Sequence, residues 1–376
     1  MKKAVLAAAV VLAILAGSTG VSVAQSEPGQ ARPFDPAALK QLAERGSADA
    51  QFEYGIRLLG GEWLPNDEKK AAEWLTKAAA QSHLPAMNAL GTLCEEGVGL
   101  PKDSKKAFEW YKKAAQYGLP LAQQNLAECY DFGKGVDKDP AEAAKWLLRA
   151  ANQDFPPAQA QYAWKLEHGK GVEKNARDAA VWYLKAAQQG LVAAMTHLAY
   201  LYYTGEGVPL DYRRAEAWYR MAAKSEDPWA HNDLAWFLAT CPDESFHDPE
   251  GAIEFARSAV NKLTDRRYEV IDTLAASLAR SGQFGEAVQT QMKAIMRLSE
   301  DKEKEVTADE RAKLEEELAE RLASYRKRTP FTEKDHGAAK SNLKPLLDDR
   351  ILQEVEKPRK KRKTESTEGS RGSVIS

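Results

Sequence analysis

Apolar residues follow two successive helical patterns within residues 122–157. In each pattern an apolar residue recurs every three or four positions, which is the spacing of one face of an α-helix. Two glycines after the first pattern predict a helix end and a turn, and an Asp-Pro pair at 139–140 predicts the start of the second helix. The first stripe consists of Ala122, Leu126, Cys129 and Tyr130, and the second of Ala143, Trp146, Leu147, Ala150 and Ala151.

The same two-helix pattern repeats every 36 residues from Ala50 to about Trp229. No residue is inserted between copies, so we number positions in each copy as offsets from its first alanine. Five tryptophans in one register are not a chance arrangement, and the repeat is therefore the first property that any structure must explain. The register alanines are Ala50, Ala86, Ala122, Ala158, Ala194 and Ala230, and the tryptophans at offset 24 are Trp74, Trp110, Trp146, Trp182 and Trp218.

The repeated motif resembles a known family. Ala-x-x-x-Leu-Gly/Ala-x-Leu-Tyr-x-x-Gly-x-Gly-Val, followed by Ala-x-x-Trp-Tyr-x-x-Ala-Ala-x-x-Gly, is similar to the Sel-one-like repeat, a relative of the tetratricopeptide repeat. Five copies over 48–229 carry the resemblance, with departures at Trp63 and Asp154, where other copies have glycine. The resemblance implies an all-α protein, an α/α solenoid of Sel-one-like and tetratricopeptide-like helical hairpins. Members of the family mostly serve as adaptors and scaffolds for protein complexes.

Beyond the fifth copy the two-helix plan continues with altered spacing. Ala252 falls one place late, and Cys241-Pro242-Asp243 replace the glycine loop. We predict two tetratricopeptide-like helix pairs over 230–298 and a C-terminal capping helix over 299–328, which would cover the apolar face of the last repeat. The apolar side of the predicted cap carries Leu314, Leu318 and Leu322.

Residues 1–24 have the pattern of a secretory signal peptide. Lys2 and Lys3 precede an apolar run, and Ser22-Val23-Ala24 forms a small-x-small cleavage site. The run is too short to span a bilayer comfortably. We therefore expect an exported protein, periplasmic or extracellular, with an uncleaved membrane anchor as the alternative.

The polar regions flanking the predicted helices differ in charge. Residues 25–47 predict a linker and a short leading helix capped by Asp35. Residues 329–376 predict a polar, partly disordered tail with six cations among seven consecutive residues. The cations suit either a solvated tail or a tether to an anionic envelope surface. They are Lys357, Arg359, Lys360, Lys361, Arg362 and Lys363.

The overall charge and the polar motifs argue against several classes of function. Removing Lys2 and Lys3 with the signal leaves 51 basic against 55 acidic residues, so the chain has no global field for nucleic acid. The Gly-x-Gly pairs follow helices and lack the third glycine of a dinucleotide fingerprint. Ser-x-x-Lys matches begin at Ser324 and Ser341, but the companion motifs of penicillin-recognising enzymes are missing. The six histidines include no pair at helical ligand spacing, so we predict no metal site and no cofactor.

The three cysteines do not form the framework that cysteine-rich relatives of this repeat family use to staple each repeat. Cys94 and Cys129 occupy offsets 8 and 7, where other copies carry Tyr130, Tyr202, Leu93 and Leu201. A pairing between them would need α-carbons within about 7 Å, which is closer than packed helix axes usually lie. We therefore favour buried free thiols over a bridge.

The clearest functional signal lies at offsets 2, 6 and 9 of the first helices, which by resemblance to tetratricopeptide folds face a concave groove. Offset 6 is polar in the second and third copies and aromatic in the next three, and aromatic side chains in a groove are typical anchors for a bound peptide. Extra core packing near the change in repeat type is the alternative interpretation. The predicted aromatic contacts are Trp164, Tyr200, Tyr203 and Trp236, and an acidic floor is predicted from Glu95, Glu128, Asp131 and Glu167.

These observations predict an exported protein–protein interaction scaffold that binds a protein or peptide partner in its groove and has no catalytic activity. The sequence does not name the partner. One alternative is a β-lactam-binding or hydrolytic envelope enzyme, because some cysteine-rich relatives are described as weak β-lactamases. A second alternative is a cell-wall-associated structural protein.

Overall fold

A computed structural model describes residues 35–61, 64–263, 267–300 and 307–334. The predicted signal peptide and the basic segment 357–363 lie outside these ranges. Within them the chain forms sixteen α-helices, one short 3-10 helix and no strand, which confirms the all-α solenoid fold. No helix of the described part is long and apolar enough to cross a membrane. The chain divides into two compact units between Leu210 and Asp211.

The first unit contains a leading helix and nine helices of the repeats. The leading helix begins after Asp35, whose carboxylate accepts hydrogen bonds from the amides of Ala37 and Ala38, so the predicted N-cap is confirmed. The helices are α1 (Pro36–Glu44), α2 (Ala48–Gly60), α3 (Glu68–Ala80), α4 (Leu84–Glu96), α5 (Ser104–Gln116), α6 (Pro120–Phe132), α7 (Pro140–Ala151), α8 (Pro156–His168), α9 (Ala176–Gln188) and α10 (Val192–Thr204).

Each hairpin pairs a first helix with a second helix through the glycine loop. The first helices end at a left-handed glycine, as at Gly133 with φ of 71°, which confirms that the Gly-x-Gly pairs are loop residues. The second helices begin at an acidic or amide side chain that caps their free amides, as Asp103 caps Lys106. In each copy, the glycine at offset 11 thus marks the end of the first helix, and the capping residue at offset 17 marks the start of the second.

Alanine and tryptophan side chains have different roles in the packing of the second helices. The alanines at offsets 21, 28 and 29, such as Ala107, Ala114 and Ala115, are buried and allow close helix approach. The tryptophans pack beside these alanines, and Trp146 and Trp218 are buried. Trp182 meets the ring of Tyr162 edge to face, with ring centroids 5.8 Å apart, and the Lys185 ammonium lies 4.0 Å from the Trp182 ring centroid.

Buried glutamines at offset 1 tie successive hairpins together. The Gln123 amide donates to the carbonyl of Ala115, the last-turn residue of the preceding second helix, over 3.2 Å. The Gln153 amide donates in turn to the Gln123 carbonyl oxygen over 2.8 Å. Gln159 and Gln189 repeat the arrangement one copy later. These bonds satisfy carbonyls that a helix end leaves free, and we did not predict them from the sequence.

The second unit continues the two-helix plan. A buried ion pair joins its last helix to the hairpin before it, because the Arg321 guanidinium lies 3.0 Å from the carboxylate of Asp272. Leu318 and Leu322 of the last helix are buried, as expected of its apolar side. The helices are α11 (Tyr212–Ala223), α12 (Pro228–Thr240), α13 (Pro249–Lys262), α14 (Tyr268–Arg280), α15 (Phe284–Glu300) and α16 (Ala308–Arg326).

All three cysteines are free and buried, as predicted. Burial raises the pKa of Cys129 to about 12, and nearby Glu95 contributes in the same direction. Burial also raises the pKa of Cys241 to about 12. These thiols therefore pack as small apolar side chains and are poor nucleophiles.

Candidate functional site

The candidate site is a surface of the first unit formed by helices α4, α6, α8 and α10, which we call the first-helix face. Side-chain contacts between successive copies place these helices side by side. Asn125 of α6 donates to Asn88 of α4 over 2.9 Å, and Lys165 of α8 bonds a carboxylate of α6 over 2.6 Å. Equivalent offsets in these copies consequently lie along one surface.

Two of the predicted aromatic residues are exposed on this face. Trp164 of α8 is 41% exposed and Tyr200 of α10 is 47% exposed. The Trp164 ring stacks on His168 one turn along the same helix, with ring centroids 4.5 Å apart. This stacking holds the indole against the helix surface, so part of its apolar area stays open to a partner.

Two other predicted groove residues are buried and require correction. Tyr203 is only 6% exposed and belongs to the core. Glu167 is also buried, and its carboxylate accepts a hydrogen bond of 2.8 Å from the Tyr183 hydroxyl. At Glu95 and Glu167, offset 9 points between the two helices of a hairpin, where the tyrosine at offset 25 of the same copy bonds the carboxylate.

Two carboxylates of the predicted acidic floor, Glu95 and Asp131, are paired with lysines that we did not predict. Glu95 lies 2.6 Å from the ammonium of Lys134. Asp131 lies 2.6 Å from the ammonium of Lys165, whose side chain is only 3% exposed. Each base comes from the copy after its carboxylate, at offset 12 or offset 7. A basic residue at offset 7, where the second, third and fifth copies carry leucine or cysteine, was the available signal.

Two histidines lie near the Glu167 carboxylate on the same face. The rings of His168 and His197 each bring a nitrogen to 3.9 Å from the Glu167 carboxylate. His197 also stacks on Tyr183, with ring centroids 4.9 Å apart. Burial lowers the pKa of His197, although the charge of Glu167 opposes this effect. The histidine is thus held in its neutral form at neutral pH.

Glu128 occupies the offset-6 position next to the paired carboxylates. Burial raises its pKa, while the charge of Lys134 and a hydrogen bond from Gln161 oppose that rise. The first-helix face therefore combines two exposed aromatic rings with two lysine–carboxylate pairs. Such a surface suits a partner with an apolar anchor and polar flanks.

Trp236, the third aromatic residue predicted at offset 6, belongs to the second unit. It is half-buried, and the ring of Phe331 lies against it with centroids 5.9 Å apart. No pattern in the sequence predicts this contact.

The remaining candidates for chemistry are the two Ser-x-x-Lys matches and a metal site. The hydroxyl of Ser324 donates to the Glu320 carbonyl within its own helix over 3.1 Å, and the next side chain, Tyr325, is buried. The second Ser-x-x-Lys match, at Ser341, lies outside the described residues. Among the residues that the structure describes, no group of three or more His, Cys, Asp or Glu side chains could hold a metal ion.

Comparison with known proteins agrees with the repeat seen in the sequence. The family described as Sel1 repeat matches residues 48–83, 84–118, 120–155, 156–191 and 192–227. A solved Sel1 repeat protein from Oxalobacter formigenes is 30% identical, over 65% of this chain and 90% of its own, with a TM-score of 0.51. This chain belongs to the Sel1-repeat family. Sel1-repeat proteins are generally protein–protein interaction scaffolds without enzymatic activity.

Two further Sel1-type structures resemble the chain less closely in their superposition. A protective antigen of uropathogenic Escherichia coli with an SLR fold is 28% identical, over 77% of this chain and 72% of its own, with a TM-score of 0.45. Cysteine-rich protein B of Helicobacter pylori is 26% identical, over 36% of this chain and 97% of its own, with a TM-score of 0.29. No curated protein matches the chain significantly in sequence.

Proposed function

We propose that this Sel1-repeat protein is an exported scaffold that binds a partner protein on the first-helix face of its first unit. The observation that carries the proposal is the exposure of Trp164 and Tyr200 at the same offset of two neighbouring first helices. Large aromatic side chains supply much of the binding energy where proteins meet, provided that they become buried in the complex. Here two such rings lie one repeat apart on one surface.

The charges on the same face narrow the chemistry of the partner. Lys134 and Lys165 pair with Glu95 and Asp131, so these two carboxylates on this face are already neutralised within the unit. A strongly basic partner would have to compete with these lysines. We therefore propose a partner segment of low net charge that places an apolar side chain against Trp164 and Tyr200.

Replacing Trp164 and Tyr200 together by alanine should weaken partner binding by about 10- to 100-fold, because hot-spot truncations commonly cost 2 kcal/mol or more. The experiment is affinity capture from envelope extract with the mature chain as bait, quantified by mass spectrometry. Proteins enriched by the wild-type bait should fall at least about tenfold with the double variant. The same proteins should then be tested singly in purified form.

Tyr117→Ala is the matched control for this experiment. Tyr117 is 70% exposed but lies at the end of the second helix α5, away from the first-helix face. Its replacement should leave recovery unchanged, and all baits should have equal circular dichroism. Equal recovery by the Trp164→Ala/Tyr200→Ala bait and the wild type would remove this face from the function.

Export is proposed from the first 24 residues alone. Lys2 and Lys3, the apolar run and Ser22-Val23-Ala24 support a cleaved signal peptide. Expressed in a Gram-negative host, the chain should be recovered from the periplasm with an intact mass that begins at Gln25. Replacing Ala24 by tyrosine should block that cleavage, because the site requires small residues. A mature protein that still begins with Met1 would contradict cleavage.

A further inference from the structure

A segment of the chain without regular secondary structure covers part of the second unit. Residues 329–334 follow α16 and bring the Phe331 ring against Trp236 of α12. The guanidinium of Arg321 lies 5.3 Å from the centroid of the Phe331 ring and 5.5 Å from that of the Trp236 ring. The Phe331 ring is therefore held between the Trp236 indole and the Arg321 guanidinium, both of which interact favourably with an aromatic ring.

Main-chain hydrogen bonds fix the direction of this segment. Arg280 of α14 donates to the carbonyl of Phe331 over 2.6 Å and to the hydroxyl of Thr332 over 2.7 Å. Two residues after the anchor, the amide of Glu333 donates to the carbonyl of Thr240 over 2.8 Å. The unit thus contacts one aromatic side chain and the backbone on its C-terminal side, which is how grooves commonly recognise peptides of varied sequence.

The open carbonyl that receives Glu333 results from a change in the repeat. In the five Sel1 copies a glycine ends the first helix, whereas α12 ends at Cys241-Pro242. The final carbonyls of α12 therefore take partners from elsewhere, and Arg280 donates through Nε to the carbonyl of Ala239 over 2.6 Å. Arg280 consequently joins the end of α12 to the segment that crosses it.

The position of this contact in the repeat is the same as that of the exposed rings in the first unit. Trp236 lies at offset 6, as do Trp164 and Tyr200. In the first unit those side chains are 41% and 47% exposed, whereas in the second unit the Trp236 side chain is half-buried against Phe331. Offset 6, which we propose for partner binding in the first unit, is thus covered in the second unit by residues 329–334 of the same chain.

We propose that the surface formed by Trp236, Thr240, Arg280 and Arg321 is a recognition site for a peptide with an aromatic anchor, and that residues 329–334 occupy it as an intramolecular ligand. The partner chemistry follows from the occupant. It needs an aromatic side chain, the carbonyl of that residue, and a free amide two residues later. This site lies in the second unit, so it can fail or succeed independently of the first-helix face.

Only Lys327 and Arg328 separate the occupant from the end of α16. A short connection gives the tethered segment an effective concentration in the millimolar range, so the site is mostly closed to a free peptide. A partner would gain access when the tethered segment is displaced.

The test uses a fluorescent peptide with the sequence Arg-Thr-Pro-Phe-Thr-Glu-Lys and the full mature chain. Phe331→Ala in the protein removes the internal anchor and should raise peptide affinity at least about tenfold over the wild type. The peptide with alanine in place of its phenylalanine should not bind. Adding Trp236→Ala to the Phe331→Ala chain should abolish the gained affinity.

Glu333→Pro is a second variant that keeps the aromatic ring and removes the amide that bonds Thr240. It should also raise peptide affinity, by a smaller factor, and it guards against loss of packing in Phe331→Ala. Circular dichroism would confirm that each variant is folded. The proposal is wrong if neither variant binds the peptide better than the wild type, or if the phenylalanine and alanine peptides bind equally.

Discussion

Replacing Gly171 by alanine should destabilise the first unit by about 2–4 kcal/mol, through an overpacked contact and a left-handed backbone. Gly171 is the second glycine of the loop after α8, with φ of 77°. A β-carbon at this position would overlap the carbonyl of Pro140 and lie 2.8 Å from the nitrogen of Ala141. Those atoms belong to the first turn of α7, the second helix of the preceding copy, and backbone atoms cannot move aside cheaply.

Gly133→Ala is the matched control. Gly133 also has a left-handed backbone, with φ of 71°, but the nearest atom to an added β-carbon is the Val136 oxygen at 3.5 Å. Its replacement should therefore cost about 1 kcal/mol, which is the conformational term alone. Urea denaturation compares the two variants, and hydrogen exchange in α7 and α8 localises the effect. Equal losses for both would show that the close approach to Pro140 does not matter.

The glycine loops show what a repeat in the sequence can and cannot reveal. The period of 36 residues and the helical stripes predicted every hairpin of the first unit, because each signal lies within one copy. We explained the second glycine as a residue that turns the chain back. Its close approach to the preceding copy is a contact between repeats, and the pattern of a single copy carries no signal for it.

Likewise, the repeat predicts some properties of the candidate site and not others. The exposure of Trp164 and Tyr200 followed from comparing offset 6 across copies. The burial of Glu167 did not, because it depends on the hydroxyl of Tyr183 in the facing helix. The pairing of these carboxylates also depends on neighbours, since Lys165 neutralises Asp131 of the previous copy. Periodicity predicts which positions are equivalent, whereas the partners at each position depend on the particular residues of the adjoining copies.

The sequence repeat does not predict how residues 329–334 pack. They follow the last helix, have no apolar period and were assigned to the polar tail. The only apolar ring among them is Phe331, and a single phenylalanine does not predict where it packs. Its position beside Trp236 depends on Arg280 and Arg321, which come from two different helices of the second unit.

Replacing Arg321 by alanine should destabilise the second unit by about 3–5 kcal/mol, because it leaves a buried carboxylate without its counter-ion. The side chains of Arg321 and Asp272 are only 11% and 8% exposed, and their nearest atoms are 3.0 Å apart. Gln291 donates to the same oxygen of Asp272 over 2.8 Å. An amide dipole cannot replace a full positive charge at a buried site, so Gln291 alone would not compensate.

Exposed ion pairs in the same unit provide the control. Arg257 and Glu286 are 57% and 63% exposed, with their nearest atoms 4.0 Å apart. Arg257→Ala should cost no more than about 1 kcal/mol, since exposed pairs contribute little. Thermal denaturation of both variants at equal pH and salt makes the comparison direct. Similar losses would mean that burial does not raise the cost of breaking an ion pair here.

The pH dependence tests the cause of the loss. Burial raises the pKa of Asp272, although the charge of Arg321 opposes the rise. A carboxyl group with a raised folded-state pKa stabilises the fold below its unfolded pKa, and this contribution is lost as the pH rises through the folded value. Without Arg321 that value should rise further, so the destabilisation by Arg321→Ala should be smaller at about pH 5 than at about pH 7. Adding Asp272→Asn removes the unpaired charge and should recover part of the stability at neutral pH. A loss that is equal at both pH values and unchanged by Asp272→Asn would assign the effect of Arg321 to its packing against Trp236 and Phe331.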